Sequence, residues 1–142
     1  MFRRLSLIGI VFLALPVWAG DDYYAPGGVA LEGYDPVAYF TQGRAVPGKS
    51  AHVFDYDGVK WHFSSAENLR AFQAAPAQYL PQYGGYCAFG VAARQRKVRS
   101  DPTVFDVVDG KLYLNFNERF RRRWSENAAR MIRSGDRIWP GL

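Results

Sequence analysis

Apolar and polar residues alternate with a period of two along two stretches of the chain, the signature of a strand buried on one face. Ala51 to Tyr56 and Val59 to Phe63 flank Asp57-Gly58. That pair favours a two-residue turn and predicts a β-hairpin. The turn sets the register: Tyr56 opposite Val59, Asp55 opposite Lys60, Phe54 opposite Trp61, Val53 opposite His62 and His52 opposite Phe63. One face then carries His52, Phe54, Tyr56, Val59, Trp61 and Phe63 and is the expected core face. The other carries Val53, Asp55, Lys60 and His62, with an opposite-charge cross-strand pair. Thr103 to Val108 and Lys111 to Phe116 repeat the arrangement about Asp109-Gly110, which puts Phe105, Val107, Leu112, Leu114 and Phe116 on one face.

Elsewhere the apolar spacing is helical. Gly33 to Phe40 predicts a short helix capped by Asp35, with Pro36 in its first turn and Gly43 as its stop. Ser64 and Glu67 form a capping-box pattern ahead of Ala66, Leu69 and Phe72, and Pro76 ends that helix. A short helix is expected from Tyr86 to about Arg94. A last one is expected from Asn117 to about Ser134, with Phe120, Trp124, Ala128, Met131 and Ile132 inward and Gly135 as its stop. Trp139 and Leu142 are read as a tail that folds back. These elements predict an α+β domain: a small antiparallel sheet built from two β-hairpins, with short helices packed on it and a C-terminal helix.

Residues 1–19 read as a secretory signal. Arg3 and Arg4 precede an apolar run from Leu5 to Leu15, Pro16 breaks it, and Val17-Trp18-Ala19 offers a cleavage site before Gly20. The run is shorter than the roughly 20 residues of a spanning helix. The expected location is therefore the periplasm, with no membrane span after signal cleavage. Removal of 19 from 142 residues leaves 123, enough for one domain with a real core. Residues 20–32 read as an extended N-terminal arm and 33–142 as the domain. Losing two arginines lowers the formal charge from +5 to +3, with basic runs at Arg94 to Arg99 and Arg119 to Arg123. Export removes a nucleic-acid partner, so an anionic membrane or an envelope protein suits these runs better.

Cys87 is the only cysteine and follows Gly84-Gly85-Tyr86. A single thiol in an exported protein is buried, paired with another molecule, bound to a metal, or held as a nucleophile. In the first turn of a helix, backbone N–H groups would lower its pKa, and His52 or His62 could serve as a base. No second cysteine is present to resolve an oxidised sulfur. A soft metal needs three or four converging ligands. The chain offers Cys87 with His62 or His52, but the two imidazoles stand on opposite faces of the hairpin and cannot easily share one ion. Tyr34, Tyr39, Tyr79, Tyr83 and Tyr86 either line a cleft near the double glycine or pack in the core. The expected ligand-binding set is Cys87, His62, Tyr83, Tyr86 and Tyr34.

Trp61-His62-Phe63-Ser64-Ser65, with Asn68 to Phe72, Pro76 to Tyr79, Tyr83 to Ala88 and Asp109 to Asn115, resembles the YHS-domain family, in particular a small exported branch. Trp61 stands in the place of the signature tyrosine. The resemblance implies a binding domain and, by kinship with cysteine-rich relatives, a soft metal such as copper. Those relatives carry cysteines where this chain has Ala38, Ser64 and Asn68. The leading expectation is a non-catalytic binding module for a metal or a small ligand. Its rivals are a thiol-dependent redox or peroxide enzyme using Cys87 and a structural domain that binds a partner through its basic helix.

Overall fold

The computed structural model describes residues 22–142, so the expected leader at 1–19 lies outside the described residues. The elements in chain order are α1 (Ala38–Thr41), β1 (Lys49–Tyr56), β2 (Val59–Phe63), α2 (Ala66–Ala74), α3 (Ala88–Arg94), β3 (Asp101–Val108), β4 (Lys111–Asn115), α4 (Glu118–Ser125) and α5 (Ala128–Ile138). The class is α+β. The two hairpins form two separate two-stranded antiparallel sheets, β1-β2 and β3-β4, where a single sheet was expected.

Both hairpins turn on Asp-Gly in the left-handed region, with φ of 50° at Asp57 and 51° at Asp109. That geometry matches the twist of the strands and sets the register. Tyr56 pairs with Val59, Asp55 with Lys60, Phe54 with Trp61 and Val53 with His62, as the turn predicts. Phe63, however, pairs with Lys49 and not with His52, because β1 is irregular between Lys49 and Val53. The extra residues in one strand displace His52 from the ladder.

Two apolar cores result. Leu31, Val37, Tyr39, Trp61, Phe63 and Phe72 meet Leu112 and Leu114 in the first. Tyr83, Cys87, Phe89, Val91, Tyr113 and Trp124 form the second. Successive side chains of a strand point to opposite faces. β4 therefore sends Leu112 and Leu114 one way and Tyr113 the other, and it divides the two cores. The hairpin pattern predicted only one apolar face there. On β3, by contrast, Val107 is exposed although its register placed it on that face.

Three terminal expectations change. The stretch read as an extended arm is coiled into 3-10 turns at Pro26–Gly28 and Ala30–Gly33, and it buries Ala30 and Leu31. The C-terminal helix is two helices, broken at Glu126-Asn127. Asn117 caps α4 by accepting from the Phe120 N–H at 2.9 Å. Gly135 does not stop α5 but lies buried inside it. A Cβ there would collide with the Tyr83 hydroxyl and lie 2.6 Å from its Cζ. Trp139 folds back onto Tyr83 and Tyr86.

Candidate functional site

The approach to Cys87 depends on backbone that only small residues allow. Gly84 and Gly85 have φ of 61° and 86°. A Cβ on Gly84 would run into the Asp22 carbonyl, and one on Gly85 into the Leu31 side chain. The double glycine thus lets the N-terminal segment lie against this turn, where the Tyr24 N–H donates to the Gly84 carbonyl at 2.9 Å. Cys87 then caps α3, and its Sγ accepts from the Gly90 N–H at 3.4 Å and the Phe116 N–H at 3.3 Å. The thiol faces Asn115 Oδ1 at 3.6 Å, the same oxygen that accepts from the Phe89 N–H at 3.0 Å. Asn115 is fully buried, and its Nδ2 has no partner among the described residues.

Cys87 is only 1% exposed. Burial pushes the Cys87 thiol up from its ordinary value, against the pull of the Gly90, Phe116 and Phe89 N–H groups. The sequence pattern anticipated a thiol lowered by a helix start. Here those N–H groups are present, but desolvation outweighs them.

Beside this sulfur the surface opens into a groove of about 430 Å³. Cys87, Phe89 and Gly90 are its buried floor, the half-buried Val98 and Phe120 its walls, and the exposed Ala93, Arg94 and Arg96 its rim. Phe89 stacks on Phe120 with centroids 5.1 Å apart, which fixes the floor against the wall. None of His62, Tyr34, Tyr83 or Tyr86 lines it.

Those residues serve elsewhere. His62, half-buried on β2, packs on the backbone of Gly33 and Gly48. His52 sits in the irregular part of β1. Tyr34 forms a bridge with Pro47. The Tyr83 hydroxyl donates to Asp136 at 3.0 Å and faces a second, more open cleft of about 800 Å³ with Tyr23, Asp57 and Lys97. The Tyr86 hydroxyl donates to the Tyr23 carbonyl at 3.2 Å, and its ring packs on Trp139.

A polar cluster lies in the other half of the molecule. Asp35 is completely buried. Its Oδ1 accepts from the N–H groups of Val37 at 2.8 Å and Ala38 at 3.3 Å. Its Oδ2 accepts from the Ser64 N–H at 2.8 Å, the Ser64 hydroxyl at 2.7 Å and Asn68 Nδ2 at 2.8 Å. Five donors satisfy the charge that burial would otherwise make costly. Ser64 is thereby diverted from the expected capping box. Ser65 caps α2 instead, accepting from the Asn68 N–H at 3.1 Å.

Residues 37–83 match the family model of the YHS domain. No curated protein and no solved structure matches the chain. The YHS segment spans α1, the first hairpin and α2, and the Asp35 cluster joins its beginning to its middle. Ala38, Ser64 and Asn68, the three places where cysteine-rich relatives would carry thiols, converge on the Asp35 carboxylate. The YHS segment contains no cysteine at all. Among the described residues, no three or more His, Cys, Asp or Glu side chains are grouped to hold a metal ion. The soft metal implied by the resemblance does not fit these residues. Cys87 supplies one sulfur already engaged by two N–H donors, and the Asp35 oxygens are taken up by five.

Sequence reasoning named Cys87 but missed Asp35 as a hub and missed Arg94, Arg96, Val98 and Phe120 as its groove. Asp35 read as a helix cap because two of its five donors are local. The other three come from residues 29 and 33 positions away.

Proposed function

We propose that the protein is a non-catalytic binding module, exported to the periplasm by residues 1–19, that holds a small ligand in the groove over Cys87. The observation that carries this reading is the groove itself: a concave surface of mixed polar and apolar character, with aromatic and aliphatic side chains beside two arginines, floored by a capped and buried Cys87. Its volume falls in the ~300–1,000 Å³ range of small-molecule sites. A nucleophilic role for Cys87 is disfavoured by its burial and raised pKa, since the thiolate is the reactive form. A metal role is disfavoured by the donor set just described, copper included.

The neutral apolar dye Nile red tests the groove. Saturable fluorescence enhancement at one site, lost in Ala93→Trp, is expected, because a ring on the rim would fill the groove. Enhancement that persists in Ala93→Trp would refute the reading. Stoichiometric copper in gently purified protein, lost in Cys87→Ser, would refute it too. Export is checked separately by sequencing the N-terminus of the periplasmic protein, which should begin at Gly20.

A further inference from the structure

The groove residues include three potential sources of specificity: the apolar floor, the sulfur, and the cations at the rim. The floor selects for hydrophobic area alone, and the sulfur is already engaged. The cations remain. Arg94 closes α3, Gln95 follows in the left-handed conformation at φ 53°, and Arg96 comes next, so two arginines in this turn line the groove. The Arg96 N–H donates back to the Gly90 carbonyl at 3.2 Å, which ties this turn to the groove floor. A third guanidinium, that of Arg123, stands over the Phe89 ring at 5.0 Å. Among the described residues none of these three arginines is in an ion pair, and no carboxylate lines the groove.

Arginine does not lose its charge in a protein. The C-terminal stretch of the chain, which supplies both arginines, has the same sign. Residues 22–93 hold four basic and six acidic side chains, a formal −2, whereas residues 94–142 hold twelve basic and six acidic, a formal +6. The larger cleft near Tyr83 differs: Asp22, Asp57 and Asp136 face it along with Lys97 and Lys111, so it has no net preference for anions.

Resting on the groove as the binding site, we infer that its ligand is an amphipathic anion: an apolar body on Phe89, Val98 and Phe120, with one carboxylate between Arg94 and Arg96. A carboxylate matches the planar donor fork of arginine, and an apolar tail matches the floor.

Three ten-carbon probes with different heads decide it, each titrated against bound Nile red: decanoate, decanol and decyltrimethylammonium. Decanoate should displace the dye at a concentration about tenfold lower than decanol, and the cation should be weaker than either. The double variant R94E/R96E should lose decanoate affinity by on the order of a hundredfold and decanol affinity far less, with its circular dichroism unchanged. Added salt should weaken decanoate and leave decanol unchanged. Equal displacement by all three heads, or unchanged decanoate affinity in R94E/R96E, overturns the anion assignment while leaving the groove as a site. Nile red and decanoate binding that both survive Ala93→Trp overturn the groove as well.

Discussion

Replacing Asp35 by asparagine changes one atom and almost no volume, so its effect isolates the polar cluster. The carboxylate oxygens accept two and three hydrogen bonds, and four of the five lie between 2.7 and 2.8 Å. The new amide must place its Nδ2 at one of the two positions. At the first it meets the Val37 and Ala38 N–H groups, neither of which can turn away. At the second, Asn68 can flip its amide and the Ser64 hydroxyl can rotate to accept, but the Ser64 N–H cannot. The cheapest arrangement therefore orphans one buried N–H, at about 1–3 kcal/mol. It also converts the surviving charge-assisted bonds to neutral ones of roughly half the strength. Easier burial of a neutral side chain offsets part of this. A net loss of about 2–4 kcal/mol is expected for D35N, read as a lower urea midpoint at unchanged slope. A loss under about 1 kcal/mol would show that the five contacts do not act as a tie between α1, β2 and α2.

Gly135→Ala should destabilise by about 1–3 kcal/mol through overpacking against Tyr83, more than the gain of up to ~1 kcal/mol in helix propensity; a more stable variant would refute that packing. Cys87 should resist alkylation in the native protein near neutral pH and react only as urea unfolds it. Immediate native labelling would contradict the burial of Cys87. Alkaline pH should destabilise the fold. Burial is the chief cause that raises Tyr23, Tyr24, Tyr39, Tyr83 and Tyr113 above the ordinary 10.0, with Asp57 and Asp136 adding to it at Tyr23 and Tyr83. Their contribution is complete below that value. It falls as pH rises past it, because the unfolded tyrosines lose their protons first. Urea midpoints that stay level above pH 10.0 would refute it.

Local chemistry made much of this fold legible. Each Asp-Gly pair announced its hairpin because a two-residue turn with positive φ permits few side chains, and the register followed from the turn for every pair next to it. The inward faces of α4 and α5 were visible from the spacing of Trp124, Met131 and Ile132. What was hidden depends on neighbours distant in sequence. Tyr113 and Asn115 are buried because α3 and α4 pack on β4, on the side opposite the face that alternation picked out as apolar. Gly135 looked like a helix end, but its missing side chain makes room for Tyr83, 52 positions earlier. The groove was hidden for the same reason. Its floor comes from the start of α3, one wall from the segment before β3 and the other from α4.

The division of the molecule bears on where its function lies. The YHS segment supplies most of the first core and the donors that bury Asp35, and Ala38, Ser64 and Asn68 are spent there on holding α1, β2 and α2 together. Every residue of the groove, from Cys87 to Phe120, falls after that segment, and its two arginines belong to the stretch 94–142 that carries the positive charge. A likeness confined to residues 37–83 therefore speaks to the part of the chain that builds a stable base, and little to the part that forms the proposed groove. β4 connects the two: Leu112 and Leu114 anchor it in the first core, while Asn115 holds the Phe89 N–H and faces the Cys87 thiol. Weakening the Asp35 cluster should then lower stability without altering the head-group preference of the groove. Exchanging Arg94 and Arg96 should do the reverse.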